Sequence, residues 1–397
     1  MYLKNLELKN YRNYEHVKLE FDKSSILLVG NNGNGKTNLL ESMHYLSTGR
    51  SHRTHTQDEL LKWGTEFSLI RATLGPEKGN SSNIIEIEIR KNNNIKIRVN
   101  GVYQKKKSDF ISILPSVIFS PDDLKIIKSG PGERRNFLDS ILEKIYPDYY
   151  SLRLQYQKIL VQRNSLLKSI KGKPMDNHIN TIGVWNENLV KYGIQIIEKR
   201  LGLLVDIMGK FSQHTGDFFK GTRGEVKYIF SWDRVDGNDK HYDNGPVKEN
   251  VNNTEKRSFN IEGLREVFLK KLNSNFERDL TFKTTTIGPH RDDMAIFFDK
   301  KDIRSFGSQG QQRIASISLK LCELYILKER SGTYPVLLLD DVLSELDIER
   351  RKKLVKVINE SFQTFVTATN ISYLDKLDID FGSRFLVNDN RINEMKL

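Results

Sequence analysis

Residues 30–37 place glycine, lysine and threonine at the spacing of a phosphate-binding loop. The segment follows an apolar run at residues 26–29 and precedes a helical pattern, and it consists of Gly30, Asn31, Asn32, Gly33, Asn34, Gly35, Lys36 and Thr37. Glycines allow the backbone N–H groups to turn toward a phosphate chain, the lysine can reach the outer phosphates, and the threonine hydroxyl can bind Mg²⁺. The pattern predicts a site for ATP with Mg²⁺.

A second apolar run, residues 336–339, ends in two carboxylates, Asp340 and Asp341. A buried strand that ends in a carboxylate can hold hydrated Mg²⁺ opposite a phosphate loop, so we assign Asp340 to the metal together with Thr37. Asp341 then stands where a general base would orient the attacking water, although it could also be a solvated carboxylate at a strand end. The predicted catalytic residues are Lys36, Asp340 and Asp341.

Ser308, Gln309 and Gly310 precede a helical pattern over residues 311–330. A helix N-terminus with a hydroxyl and a small residue suits the terminal phosphate of a nucleotide, although the same residues could form a simple polar cap. The motifs follow one another in the order phosphate loop, long insertion, residues 308–310, acidic strand and residues 344–347, and this order resembles the ATP-binding-cassette ATPase class. Residues 308–310 are similar to the signature motif of that class, and residues 344–347 are similar to its dimer-facing loop. In that class the signature motif of one subunit covers the nucleotide of the other. The resemblance therefore implies a homodimer that ATP closes and hydrolysis opens.

Two features depart from the pattern of that class. Asp341 stands where many members have glutamate, and the shorter side chain predicts slow hydrolysis because the distance from base to water matters. The class often has a histidine after the last strand, whereas Thr367 and Thr369 lie in the corresponding region. That histidine senses the terminal phosphate of the nucleotide, so in this sequence the phosphate sensor is a hydroxyl or another group.

Hydrophobic periodicity predicts the elements that hold these motifs. Strand patterns cover residues 3–8, 17–21, 26–29, 84–90, 95–99 and 102–103, and the last three form an antiparallel meander. Helical spacing dominates residues 133–210, and residues 233–258 are polar and predict a surface loop. The fold class is α/β, an ATP-binding-cassette-type P-loop ATPase head with an antiparallel β subdomain and an inserted helical lobe. The expected divisions are residues 1–130, 131–275 and 276–397.

The composition favours a polyanionic partner. The sequence has 397 residues, and 63 Lys and Arg against 51 Asp and Glu give a net charge of +12. Such an excess suits nucleic acid or an acidic membrane surface. The single cysteine, Cys322, excludes a disulfide framework or zinc cluster within one chain and fits a core thiol in a reducing cytoplasm. No signal sequence or membrane-spanning stretch is evident, so we expect a cytoplasmic protein without a membrane partner.

Several blocks together resemble the RecF family over the whole length. They are LKNYRNY, GNNGNGKTNLLES, RSHRTHTQDELL, FSPDDLKIIKSGPGERRNFLD, TTIGPHRDD, GSQGQQR and LLLDDVLSELD. The resemblance implies an ATPase head with a short helical lobe, weak DNA-stimulated ATP hydrolysis, and binding to single-stranded, duplex or gapped DNA. It also implies mediators of the RecO and RecR type, loading of recombinase at gaps, replication-fork maintenance and support of SOS induction.

The residues that would contact DNA are drawn from two basic segments. Arg50 and Arg53 follow the phosphate-loop helix, and Lys105, Lys106 and Lys107 follow the meander. Lysines and arginines along a groove bind phosphates with little base selectivity, although each could equally be a solvated surface charge. The turn at residues 288–293 contains His290 and Arg291, which we interpret as structural supports of a turn packed against the nucleotide-facing surface.

Three other functions remain as alternatives. A chromosome-structure ATPase of the SMC type would carry a far longer coiled coil, often with a Cys-x-x-Cys metal hook, whereas the helical stretch here is short and lacks cysteine. A transporter ATPase subunit is disfavoured by the basic charge and the RecF-like blocks. A nuclease would need a second carboxylate cluster or a set of metal-binding histidines, and the sequence offers neither outside the nucleotide motifs.

Overall fold

The computed structural model describes residues 1–22, 25–54, 56–75, 82–92, 94–106, 108–111, 113–172, 174–235, 260–360, 362–370 and 379–395. The chain divides into two compact units. The first contains Met1–Lys125, Gln213–Thr222 and Gln309–Leu397, and the second contains Ile126–Ser212 and Arg223–Ser308. None of the described helices is both long enough and apolar enough to cross a membrane.

The described strands and helices alternate along the chain. The strands are β1 (Tyr2–Tyr11), β2 (Tyr14–Glu20), β3 (Ser25–Val29), β4 (Phe67–Gly75), β5 (Asn83–Arg90), β6 (Asn94–Val99), β7 (Val102–Tyr103), β8 (Ser116–Phe119), β9 (Gly224–Ile229), β10 (Asp293–Phe298), β11 (Lys301–Asp302), β12 (Val336–Leu339), β13 (Thr364–Ala368), β14 (Phe381–Asn388) and β15 (Arg391–Glu394). The helices are α1 (Lys36–Thr48), α2 (Ser108–Ile111), α3 (Leu124–Lys128), α4 (Pro131–Ile145), α5 (Tyr149–Ser169), α6 (Asp176–Phe218), α7 (Ser231–Val235), α8 (Ile261–Ser274), α9 (Phe276–Phe282), α10 (Ile303–Phe306), α11 (Gln309–Ser331) and α12 (Ile348–Ile358). Short 3-10 turns cover Gln57–Leu60, Pro121–Asp123 and Val342–Glu345.

The first unit contains a mostly parallel sheet with the strand order β15-β14-β3-β13-β12-β8. Its strands from β14 to β8 run parallel, and β15 pairs antiparallel with β14. Every residue of β3, β8, β12 and β13 is buried, which explains why these strands are short apolar runs without alternation. Since β3 and β12 are parallel, the phosphate loop and Asp340 leave the same edge of the sheet.

The first unit also contains an antiparallel sheet with the order β2-β1-β4-β5-β6-β7. The predicted meander is confirmed, because β5 pairs with β6 and β6 with β7 in antiparallel register. Strand β4 was not predicted, since Ser68 and Ala72 occupy inward positions and weaken its apolar alternation. Helix α1 contacts β4 of this sheet and β8 and β13 of the parallel sheet. It therefore shares one core with both sheets.

The second unit is mainly helical. Residues 133–210, predicted as helical, lie largely in α4, α5 and α6, and α6 alone spans 43 residues. The unit also contains the antiparallel order β11-β10-β9. Because β10 pairs with β9, residues 276–308 belong to this unit, so the expected boundary at residue 275 falls inside it. Of the predicted polar loop at residues 233–258, the segment from residue 236 onward lies outside the described residues.

Candidate nucleotide site

The phosphate loop connects β3 to α1, and two of its glycines are required by its geometry. Gly35 caps α1 with φ 103°, a conformation that favours glycine. A Cβ atom at Gly35 would lie 2.6 Å from Asn13 Nδ2 and 2.7 Å from the Tyr14 hydroxyl. A Cβ atom at Gly30 would lie 2.1 Å from the carbonyl oxygen of Val387. The loop thus packs against β14 on one side and the β1–β2 turn on the other.

The Lys36 side chain lies over the phosphate loop. Its ammonium donates hydrogen bonds to the carbonyl oxygens of Gly30 at 2.5 Å and Asn31 at 2.9 Å. Burial lowers the pKa of Lys36, while the carboxylates of Asp341 and Asp340 act in the opposite direction. The predicted lysine and both predicted carboxylates therefore share one electrostatic environment.

Asp340 is the residue that joins the phosphate loop to the acidic strand. Its Oδ1 atom accepts hydrogen bonds from the hydroxyls of Thr37 and Thr367, each at 3.0 Å. Burial raises the pKa of the Asp340 carboxyl, and these two hydrogen bonds oppose the rise. Thr367, which lies where the ATP-binding-cassette class often has a histidine, is buried and supports the Asp340 carboxylate.

Asp341 has an unusual backbone conformation for a residue with a side chain. Its φ of 53° and ψ of 17° lie in the left-handed region, where non-glycine residues are uncommon and often functional. The Asp341 N–H donates to Thr367 Oγ1 at 2.9 Å, which fixes this turn. Among the described residues, the buried Oδ1 atom of Asp341 has no hydrogen-bond partner. A buried acceptor of this kind can take a proton or a hydrogen bond from a bound molecule.

Side chains of two helices, α11 and α12, bind the segment after Asp341. Arg313 of α11 pairs with Glu345 Oε2 at 2.8 Å and donates to the Glu345 carbonyl at 3.1 Å. Arg351 of α12 donates to the Leu343 carbonyl at 2.6 Å. The segment that includes residues 344–347 is therefore held by contacts from α11 and α12 of the first unit.

Hydrogen bonds that the sequence analysis did not foresee complete the surroundings of the phosphate loop, and they include two side chains that it did not single out, Asn13 and Asn38. Asn34 Nδ2 donates to the carbonyl oxygen of Val387 at 3.1 Å. Asn38 Nδ2 donates to Asn13 Oδ1 at 2.8 Å, and Arg53 Nη1 donates to Asn38 Oδ1 at 2.7 Å. The block LKNYRNY contained Asn13 and was a usable signal, but the β14 contact joins residues too far apart in sequence to be predicted.

A buried glutamate ties the segment after α1 to the β1–β2 turn. Arg12 donates to both carboxylate oxygens of Glu41 at 2.9 and 2.8 Å, and Ser51 also bonds to Glu41. Burial would raise the pKa of Glu41, but the hydrogen bonds from Arg12 and Ser51 hold it below its usual value. Arg53, which we predicted to contact DNA, lies 3.8 Å from the same carboxylate. Arg53 thus lies at the edge of the candidate nucleotide site.

The other predicted DNA-contact residues lie at several places on the first unit. Arg50 is half-buried directly after α1, whereas Lys105 and Lys106 are exposed after β7. Lys107 lies outside the described residues.

The residues predicted to form the signature motif, Ser308, Gln309 and Gly310, are exposed. Gln309 is the first residue of α11, as the helical pattern predicted to within two residues. The boundary between the two units falls between Ser308 and Gln309. An exposed helix N-terminus is available to a molecule outside this subunit.

The turn at residues 288–293 has a structural role within the second unit. His290 Nε2 lies 3.1 Å from the Thr285 carbonyl, and Nδ1 lies 2.7 Å from the Tyr156 hydroxyl. Burial lowers the pKa of His290 to about 3, so the ring is neutral and accepts from Tyr156 while donating to Thr285. This agrees with the interpretation of His290 as a support.

The residues present fit Mg²⁺ bound together with a nucleotide. Mg²⁺ is usually held by one or two protein oxygen ligands, with water and substrate phosphates completing an octahedron. Thr37 and Asp340 supply two such oxygens 3.0 Å apart. Within the described part of the chain, no group of three or more His, Cys, Asp or Glu could hold a metal ion. The oxygens of Thr37 and Asp340 therefore suit Mg²⁺ that is bound by two protein ligands together with a nucleotide.

Comparison with known proteins identifies the family. The family described as RecF/RecN/SMC N terminal domain matches residues 2–389. DNA replication and repair protein RecF of Clostridium novyi (strain NT) is 38% identical over 395 residues, covering 99% of this chain and 100% of the relative. The chain belongs to the RecF family. RecF of Clostridium botulinum (strain Okra / Type B1) is 40% identical over 398 residues, covering 100% of both chains.

Solved structures agree with the RecF assignment. A structure of the recombination mediator protein RecF with ATP, in the RecFOR pathway, matches with a TM-score of 0.84 and 34% identity, covering 100% of this chain and 98% of that chain. An Smc head bound to the C-winged helix domain of ScpA matches with a TM-score of 0.56 and 15% identity, covering 100% of this chain and 98% of that chain. The second likeness shows the fold alone, an ATP-binding-cassette-type P-loop ATPase head. Full-length similarity to RecF favours that family over the SMC and transporter alternatives.

Proposed function

We propose that this protein binds ATP at the phosphate loop and hydrolyses it slowly to ADP and phosphate. The observation that carries the proposal is the arrangement of Thr37, Asp340 and Thr367 around one carboxylate oxygen, beside Asp341 and Lys36. This arrangement places a metal position, a phosphate-binding cation and a candidate base at one edge of the sheet. Solved RecF with bound ATP supports the choice of nucleotide.

Each residue has a distinct part in the proposed reaction. The N–H groups of the phosphate loop and the Lys36 ammonium bind the β- and γ-phosphates. Mg²⁺ held by Thr37 and Asp340 would neutralise charge that develops on the phosphate oxygens. Asp341 Oδ1, buried and unpartnered among the described residues, orients the attacking water and accepts its proton. Because aspartate is one methylene shorter than glutamate, this step is slow.

The cellular role that we propose is ATP-dependent DNA binding in recombinational repair and replication-fork maintenance. ATP closes a homodimer on DNA, with Ser308, Gln309 and Gly310 of one subunit covering the nucleotide of the other. DNA weakly stimulates hydrolysis, and hydrolysis opens the dimer and releases the DNA. The relatives named DNA replication and repair protein, the RecFOR pathway of a solved relative and the net charge of +12 support this role. Mediators of the RecO and RecR type, SOS induction and a cytoplasmic location belong to the same proposal.

Light scattering of the unchanged protein tests this proposal. The solution mass is measured without nucleotide, with Mg²⁺ and ATP, and with duplex DNA added. We expect ATP to double the mass and the dimer to retain DNA. A mass that does not respond to ATP would refute the clamp.

Two variants separate binding from hydrolysis. Lys36→Ala should weaken ATP binding roughly tenfold to a hundredfold, because it removes charge-assisted hydrogen bonds to the phosphates. Asp341→Asn should bind ATP normally, hydrolyse it roughly a hundredfold or more slowly, and accumulate closed dimers. Equal ATP affinity in the unchanged protein and Lys36→Ala, measured by calorimetry, would contradict the site.

A further inference from the structure

Helix α5 of the second unit carries no carboxylate. Its sequence over 21 residues, YYSLRLQYQKILVQRNSLLKS, contains neither Asp nor Glu. Its exposed side chains are polar uncharged, cationic or aliphatic, and they are Ser151, Leu154, Gln155, Gln157, Lys158, Val161, Gln162, Ser165, Lys168 and Ser169. Helix α8 of the same unit provides a contrast, because its sequence includes Glu262 and Glu266. The exposed side of α5, defined by these ten residues, is called the α5 face below.

The two lysines of the α5 face are available to a ligand. Lys158 and Lys168 are exposed and form no ion pair with any described residue. Beyond the end of the helix, Lys283 donates to the carbonyl of Ile170 at 2.9 Å and adds a further cation. Glu277, on α9, is an exposed acid on an element that contacts α5. The α5 face itself therefore carries positive charge at Lys158 and Lys168 and no negative charge.

The opposite side of α5 fixes the helix in place. Arg163 is fully buried and pairs with Asp279 Oδ2 at 2.7 Å, and it donates to Asn186 Oδ1 at 2.7 Å. Asn164 Oδ1 accepts from the N–H and the hydroxyl of Thr285 at 2.8 and 2.7 Å. These buried bonds prevent α5 from rotating about its axis, so the α5 face is presented in one orientation.

We infer that the α5 face binds the phosphate backbone of duplex DNA. Lysine, glutamine and serine side chains are the groups that contact phosphate and sugar oxygens without reading bases, and the absence of carboxylates removes repulsion from phosphate. Leu154 and Val161 are 44% and 50% exposed and lie seven residues apart on the same face. They supply apolar contact to the sugars, Leu154 one turn before Lys158 and Val161 between the two lysines. This inference rests on the proposed function, because it assigns a contact surface for the DNA that the protein binds.

The salt dependence of DNA affinity tests the inference. The variant Lys158→Gln/Lys168→Gln is compared with Lys270→Gln/Lys301→Gln, which removes the same charge from exposed sites of the second unit. Affinity of full-length protein for duplex DNA, with ATP and Mg²⁺, is measured between about 50 and 200 mM salt. The α5 variant should lose affinity roughly tenfold. The negative slope of log K against log salt should become shallower by about 2, roughly 0.9 for each lost phosphate contact. The control variant should retain both values.

The outcomes separate this inference from the proposed function. If the unchanged protein binds DNA but both variants have the same affinity and slope, the α5 face does not bind DNA. An α5 variant that also fails to form the ATP-dependent dimer would equally contradict it, since the loss would then reflect dimerisation. If the unchanged protein does not bind DNA at all, both the proposed function and the inference about the α5 face are wrong. Leu154→Ser/Val161→Ser with unchanged DNA affinity but altered association with another protein would favour a protein partner and overturn the assignment.

Discussion

At the scale of single residues, the site gains function at the expense of stability. Asp340 is buried against the phosphate loop, and burial raises the pKa of its carboxyl above the usual value. A carboxyl that binds protons more readily in the folded state destabilises the fold once it ionises. This destabilisation develops as the pH rises above the carboxyl's ordinary pKa of 3.8, and it is complete once the pH exceeds the raised pKa of the folded state. The charge that would hold the metal is thus a cost in the free energy of folding.

Replacing Asp340 should therefore stabilise the protein without nucleotide. Asp340→Asn keeps an oxygen that can accept from Thr37 and Thr367 but removes the buried charge. We expect the free energy of unfolding to rise by about 1 kcal/mol at pH 7, with the gain shrinking as the pH approaches 4. Urea unfolding checks this, with Asp58→Asn at an exposed position as the control. A stability loss at pH 7 would show that the Asp340 charge stabilises the fold.

At the scale of elements, the second unit depends on a buried ion pair between α5 and α9. Arg163 and Asp279 are both fully buried, and Asp279 Oδ1 also accepts from the N–H of Thr286 at 2.8 Å. Breaking such a pair leaves a charge buried without its partner, which costs far more than the pair contributes. The ion pair therefore decides how α5 docks more than it sets the overall stability.

A double-mutant cycle measures this dependence. Arg163→Met should lower the free energy of unfolding by about 3 to 5 kcal/mol, because Asp279 would remain buried and charged. Arg163→Met/Asp279→Leu should be more stable than Arg163→Met alone, since both charges are gone. Chemical unfolding of the two single variants and the double variant provides the test. Additive losses in the double variant would mean that the two side chains are energetically independent.

The elements also show what a sequence can predict. Loops and buried strands that carry chemistry have local patterns, so residues 30–37, 336–341 and 308–310 could be identified. Strand β4 escaped because small inward residues obscure its period. The support of Asp341 by Thr367 and the packing of Val387 against Gly30 could not be foreseen, because they depend on the order of parallel strands rather than on neighbouring residues. Arg53 was predicted from its charge alone, because the sequence does not show how the segment after α1 folds back toward Asn38.

At the scale of the whole molecule, a single chain carries one phosphate loop and one exposed signature segment. If each signature covers the nucleotide of the partner subunit, a defect in one motif can be complemented by a subunit that is defective in the other. This reciprocity is a property of shared sites and does not arise when each subunit hydrolyses ATP by itself.

Mixing two inactive variants tests this arrangement. Ser308→Arg should bind ATP nearly normally as a monomer but fail to dimerise, since the larger charged side chain obstructs the contact with the partner's nucleotide. A mixture of Ser308→Arg with Lys36→Ala contains one intact shared site per mixed dimer. Its ATP hydrolysis should exceed that of either variant alone. A mixture as inactive as its components, or a normal ATP-induced dimer of Ser308→Arg, would contradict the shared-site arrangement.

The packing of β14 against the phosphate loop has a consequence for synthesis of the protein. The loop at residues 30–37 leaves the ribosome early, but its neighbours Asp340, Thr367 and Val387 follow much later. The main chain of Leu3 likewise pairs with Gln363, at 2.8 Å. During translation, N-terminal segments normally fold first, yet here the early strands must wait for late ones. A nascent chain that has not reached β14 therefore carries a nucleotide-binding motif without a nucleotide site.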